Sequence, residues 1–195
     1  MSGQGRQTGR MAVGDGDDAS AAVAALAGRQ SGFDTLMKRH REAVFRFVRG
    51  LTGNESDALD ITQECFVAAF LALGRYDRTR PFRAWILRIA RNKCHDWARR
   101  RTVRRFFSFA VPLDDASDIA DPEENPEEAL SSRRGVERIH EAIASLPASL
   151  KEPLLLCSLE DMTQDEAAEV LGISRKAVET RIYRARQKLS HLLEG

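Results

Sequence analysis

The chain has 195 residues and a formal net charge of +1, so bulk charge does not announce a nucleic-acid binder, and the length admits one large domain or two small ones. Cys65, Cys94 and Cys157 are odd in number and widely spaced, and His40, His95, His140 and His191 add no metal-ligand spacing, so neither a disulfide framework, a metal site nor a cofactor is expected. No apolar run approaches the ~20 residues of a membrane helix, and the opening "MSGQGRQTGRMAVGDGDD" lacks a secretory signal's apolar centre. No membrane insertion and a cytoplasmic location are the expectation.

In chain order, residues 1–17 are Gly-rich and polar, which predicts a disordered tail. Residues 18–28 predict a short helix. Phe33, Leu36, Met37, His40, Val44, Phe47, Val48 and Leu51 recur at helical spacing, predicting a long amphipathic helix that ends near Gly53. A second long helix is expected from about Ser56 to Leu73. A third begins after Pro81, a favourable first-turn residue, and runs to about Arg101. No stretch of comparable length alternates with period two, so strands are not expected. Residues 18–101 thus read as one helical domain. Residues 102–132 contain "PLDDASDIADPEENPEEAL", acidic, Pro-containing and poor in large apolar residues, and read as a linker.

The C-terminal part, residues 133–195, reads as a second helical domain. Val136, Ile139, Ala142 and Ile143 predict a helix ending near Leu146-Pro147. Ser149 and Glu152 have capping-box spacing for "LKEPLLLCSL", and Thr163 and Glu166 repeat it. After that second box, Ala167, Ala168 and Leu171 form a small apolar face, Gly172 ends the helix, and Ser174 caps another. Val178, Ile182, Ala185 and Leu189 share one side of this last helix; Lys176, Thr180, Tyr183, Arg184 and Gln187 share the other, with Arg175 at its entrance. Two short helices, a tight turn and a basic outer face fit a helix-turn-helix that binds DNA. An ordinary helical hairpin with a solvated basic face is the plainer alternative.

Charge is segregated along the chain. From Arg75 to Arg105 there are twelve basic residues against two acids, Asp77 and Asp96, while Pro112 to Leu130 holds eight acids and no base. Such asymmetry implies separate surfaces with separate partners. On the helix after Pro81, Phe82, Trp85, Ile86, Ile89, Ala90 and Trp97 face one way, and Arg88, Arg91, Asn92, His95 and Arg99 face the other. Lys93 interrupts the apolar side. The preceding "GRYDRTRPFR" adds Arg75, Arg78, Arg80 and Arg83. A basic arc beside a basic loop suits single-stranded or locally opened DNA, where cations meet phosphate and planar groups meet unstacked bases. Phe82, Trp85 and Trp97 read as core; Tyr76, on the loop, is the stacking candidate.

"DALDITQECFVAAFLALGRYD", "FRAWILRIARNKCHDWARRR" and the helix-turn-helix, in that order, resemble the extracytoplasmic-function sigma factors of bacterial RNA polymerase, within the sigma-70 family. The resemblance implies an all-helical, non-enzymatic protein with a region 2-like and a region 4-like domain. It also implies partners: RNA polymerase core, through clamp coiled coil and flap, promoter DNA, and an anti-sigma factor. Its "DxxQE" motif, here Asp60, Gln63 and Glu64, would meet the clamp. Arg88, Arg91, Asn92, His95 and Arg99, with the loop carrying Arg75, Tyr76, Arg78 and Arg80, would hold the opened promoter-proximal element. Asn92 offers both a donor and an acceptor to a flipped base. Ser174, Arg175, Lys176, Thr180, Tyr183 and Arg184 would meet the upstream element in duplex form. The acidic linker suits either a path through a positively charged polymerase channel or a soluble tether. Promoter-specific transcription initiation, in a stress or envelope response, is the function implied. A free-standing helix-turn-helix regulator is the alternative; it leaves the "DxxQE" helix unexplained.

Overall fold

The computed structural model describes residues 15–107, 138–139 and 141–194, and every regular element among them is helical. Helix α1 spans Asp15–Leu26, α2 Gln30–Thr52 and α3 Glu55–Ala72, followed by a 3-10 turn at Leu73–Arg75; α4 spans Phe82–Phe107. Residues 138–139 and 141–145 are helical, and then come α5 at Ala148–Ser158, α6 at Gln164–Leu171 and α7 at Arg175–Glu194. The expected helices are present, with shifted ends. Helix α1 starts at Asp15, inside the expected tail, and α4 continues past Arg101 into the expected linker. The rest of the acidic segment and Val136 lie outside the described residues.

The first four helices pack around Leu36, Val44, Phe47, Val48, Phe82, Ile86 and Leu87, all fully buried. The α1–α2 crossing needs a glycine: a Cβ at Gly32 would lie 2.5 Å from the Ala21 carbonyl oxygen and 2.6 Å from the Ala25 nitrogen. Gly53 closes α2 at φ +72°, its N–H bonded to Arg49 O, and the Asn54 side chain opens α3 by accepting from Asp57 N at 2.9 Å. Trp85 and Trp97 pack on this core, and the Trp97 indole donates to Asp57 at 3.1 Å. Both tryptophans are structural, as their spacing on the apolar side of α4 suggested.

The C-terminal helices bury Leu155, Leu156, Val170, Val178 and Ala185. Helix α6 has the full capping box, with Thr163 accepting from Glu166 N and Glu166 reaching back to Thr163 N; Gly172 at φ +67° ends it. The box expected at Ser149 and Glu152 is absent. Helix α5 starts two residues earlier, with Pro147 rather than Ser149 at its N-cap and no side-chain cap, so Ser149 is already inside the helix. The Glu152 carboxylate turns across the domain contact to Arg91 and His95 instead, because a buried charge needs a cationic partner more than the backbone needs its cap. Helix α5 packs on α2 as well as on α6 and α7, so the two domains meet directly and their apolar interiors form one continuous cluster.

Candidate nucleic-acid interface

The basic arc on α4 exists, but much of it is occupied. Arg88 and Asn92 are exposed and Arg91 and His95 half-buried on the side of α4 that faces the C-terminal domain. Arg91 Nε donates to Glu152 at 2.9 Å, and the same carboxylate takes the His95 ring. Arg88 donates to the Glu169 backbone oxygen at 2.6 Å, and Arg80, from the loop, pairs with the Glu169 carboxylate. Arg99 pairs locally with Asp96. Arg75 and Arg78 are exposed on the loop. Asp77 stays below the ordinary carboxylate range because the Thr79 hydroxyl and backbone N–H both donate to it, which folds the loop back on itself.

Tyr76 corrects the expectation of a stacking residue. It is 6 % exposed, its ring meets Phe82 and Trp85 with centroids 5.2 Å away from each, and its hydroxyl donates to Arg80 O. A large amphipathic ring beside an aromatic pair buries its body and bonds its tip, so Tyr76 shapes the loop from inside. A sequence reading misses this because loop position alone does not report burial.

On α7, Ser174, Arg175, Lys176, Tyr183 and Arg184 are exposed and Thr180 half-exposed, on the side opposite buried Val178, Ile182 and Ala185. Ser174 caps the helix by accepting from Ala177 N at 3.2 Å. Thr180 donates to Lys176 O, Gln187 donates to Tyr183, and Arg175 reaches Asp165 at 3.3 Å. The face is a preformed helical surface of the width a major groove accepts.

Helix α3 carries a third surface. Asp60, Gln63 and Glu64 are exposed and line an open depression of about 590 Å³ with Val67, Ala68, Leu71 and Lys93. Lys93 ties to Glu64 at 3.1 Å. The apolar component was not anticipated: Leu59, Val67, Phe70 and Leu71 are between 42 % and 76 % exposed, four large side chains on one helix. The signal was available, since "CFVAAFLAL" is apolar all round and a helix against a core buries only one side.

Comparison with known proteins gives the same division. The sigma-70 region 2 family matches residues 36–104, and the sigma-70 region 4 family matches residues 136–189. The RNA polymerase sigma factor CnrH of Cupriavidus metallidurans is 42% identical over 177 residues, 89% of this chain and 93% of that protein. The ECF RNA polymerase sigma factor SigE of Mycolicibacterium smegmatis is 34% identical over 83% of this chain and 61% of its own length. The solved structure of CnrH in complex with the cytosolic domain of CnrY superposes with a TM-score of 0.68 at 34% identity, covering 91% of this chain and 97% of that one. Two helical domains, matched in order by the two sigma-70 regions and along nearly the whole length of CnrH, place this chain in the extracytoplasmic-function class of the sigma-70 family.

Proposed function

We propose that the chain directs promoter-specific initiation by using its three surfaces in concert, with no catalytic step of its own. The acidic and apolar face of α3 (Asp60, Gln63 and Glu64 beside Val67 and Leu71) docks on the clamp coiled coil of core polymerase. Charge-assisted bonds from arginines set its register there, and burial of the apolar stripe adds affinity. The loop and α4 hold the opened promoter-proximal strand: Arg75, Arg78, Arg80, Arg88, Arg91, His95 and Arg99 toward phosphate, Asn92 toward a base edge. Tyr76 sets the shape of that loop. Helix α7 enters the major groove of the upstream element, where Arg175, Lys176, Thr180 and Arg184 contact DNA and Ser174 and Tyr183 flank them. The protein works in the cytoplasm, and an anti-sigma protein holds it when idle; that CnrH was solved in complex with the cytosolic domain of CnrY supports a protein partner for this fold.

The observation that carries this reading is the presence on one chain of three surfaces with three chemistries: an exposed acidic-apolar one on α3, a basic one with an exposed amide on α4 that the C-terminal domain partly covers, and an exposed basic one on a capped helix. Purified protein and core polymerase should start transcription at a specific promoter, and Asn92→Ala should reduce permanganate reactivity of unpaired thymines while core binding persists. Absence of core binding at low salt would remove the proposal.

A further inference from the structure

Helix α1 lies outside the residues matched by either sigma-70 region, and none of the three surfaces includes it. It is nonetheless closely seated. Ala22 is fully buried, the crossing at Gly32 leaves no room for a Cβ, and α1 packs on α4 and on the 3-10 turn at Leu73–Arg75 as well as on α2. Asp18, on its inner side, accepts from Arg39 and, at 2.7 Å, from His40 Nε2. The His40 ring lies 5.1 Å from that of Phe82, tilted by 43°. Phe82 in turn meets Tyr76 edge-on at 5.2 Å, and the Tyr76 hydroxyl donates to Arg80 O. Tyr76 and Phe82 stand at the two ends of the basic loop. Asp18, His40, Phe82 and Tyr76 are all buried, so a continuous file of packed side chains runs from α1 to the base of that loop.

We infer that Asp18 and His40 are positioning residues for promoter opening, and that α1 is a strut which fixes the path of the loop at residues 75–80 from behind. The inference rests on the assignment of that loop to the opened strand. The bond to Asp18 holds the His40 ring in one plane, the ring supports Phe82, and the contact of Phe82 with Tyr76 draws the two ends of the loop together. Arg75, Arg78 and Arg80 hang from that clasp. A binding group keeps its geometry only when the side chains behind it are locked, and a site loose by about an ångström loses its contacts. An apolar residue could fill the space of Asp18, but only a hydrogen-bond acceptor can set the orientation of a ring N–H. The charge at the start of the file therefore serves the loop at its end.

Two variants of the full chain cut the file at different links. Asp18→Leu keeps the shape and removes the acceptor; His40→Gln keeps an amide for Asp18 and removes the ring. Limited trypsin digestion of the free chain reads the loop at the bond after Arg78, with the bond after Lys93 in α4 as reference. In both variants cleavage after Arg78 should rise about tenfold while the Lys93 bond is cut as in wild type. With core polymerase, permanganate reactivity of unpaired promoter thymines should fall about tenfold while core binding holds. Tyr76→Phe cuts the last link of the same file, so adding it to Asp18→Leu should deepen the defect no further, whereas independent effects would multiply. Multiplied defects, a parallel loss of core binding and opening, or faster cleavage after Lys93 would mean that Asp18 serves only the stability of the domain, and would overturn the strut. An unchanged loop in both variants overturns it as well. A loosened loop with undiminished opening overturns the positioning role. A wild-type holoenzyme that opens no promoter removes the underlying assignment of the loop instead, and the digestion, which uses no DNA, tells the two failures apart.

Discussion

Asp18 lies on the inner side of α1 with 2 % of its surface exposed, and both carboxylate oxygens are taken, one by Arg39 and the other by His40 at 2.7 Å. Burial pushes its pKa up, but the bond and charge of His40, with Arg39 behind, outweigh that and hold the carboxyl below its usual range. A carboxyl lowered in the folded state contributes fully above its unfolded pKa, near 3.9, and loses that contribution as pH falls from there through the folded value. Asp18→Asn should therefore cost about 2 kcal/mol at neutral pH, and urea unfolding should show the gap to wild type closing on acidification below about pH 4. Asp161 is a second local constraint. It is the non-glycine residue at positive φ, +47°, among the described residues, in the turn that aims Glu160 at Arg46 and Arg83. Aspartate tolerates that conformation and a β-branched residue does not, so Asp161→Val should lower thermal stability by about 1–2 kcal/mol while Asp161→Asn stays near wild type.

The α6-turn-α7 unit was legible residue by residue, since Thr163, Glu166, Gly172 and Ser174 act through bonds spanning three or four positions. Thr163→Ala removes the cap and should lower the melting free energy by about 1 kcal/mol, which thermal unfolding would measure; unchanged stability would mean that the box is decorative. Where partners are distant, the same spacing misled. Ser149 and Glu152 stand at the same interval as Thr163 and Glu166, but Glu152 spends its carboxylate on Arg91, 61 positions away in sequence. The end of α4 was missed for a different reason. Apolar periodicity fades after Trp97, yet Arg99, Arg100, Arg101 and Arg104 are good helix formers and nothing breaks the helix before Phe107. Tyr76 marks the remaining gap: the pattern placed it on a loop but carried no information on which way its ring turns.

At the scale of the molecule, the charges within "LKEPLLLCSLE" held a clue that periodicity alone does not expose. Lys151, Glu152 and Glu160 are 6 %, 3 % and 0 % exposed, and charged side chains at such depth require partners from elsewhere. For Glu152 that partner is Arg91, one of the arginines assigned to DNA, which links two properties an engineer would wish to vary separately. Any change at Arg80 or Arg91 that strengthens the hold on a phosphate also strengthens the hold on a carboxylate, so selection for tighter grip at these positions should run into a ceiling. Lysine offers a way past it. A compact ammonium still attracts a phosphate backbone, but it cannot reproduce the bond that Arg91 Nε makes to Glu152 at 2.9 Å. Arg91→Lys in the isolated chain should therefore bind single-stranded DNA more tightly than wild type, by anisotropy, although the substitution trades a better ligand for a poorer one. Loss of affinity equal to that of Arg91→Ala would show that the side chain answers only to DNA. The double use of one arginine set turns an ordinary conservative replacement into a gain, and it puts the best binder in a mutant library at a weaker cation than the native one.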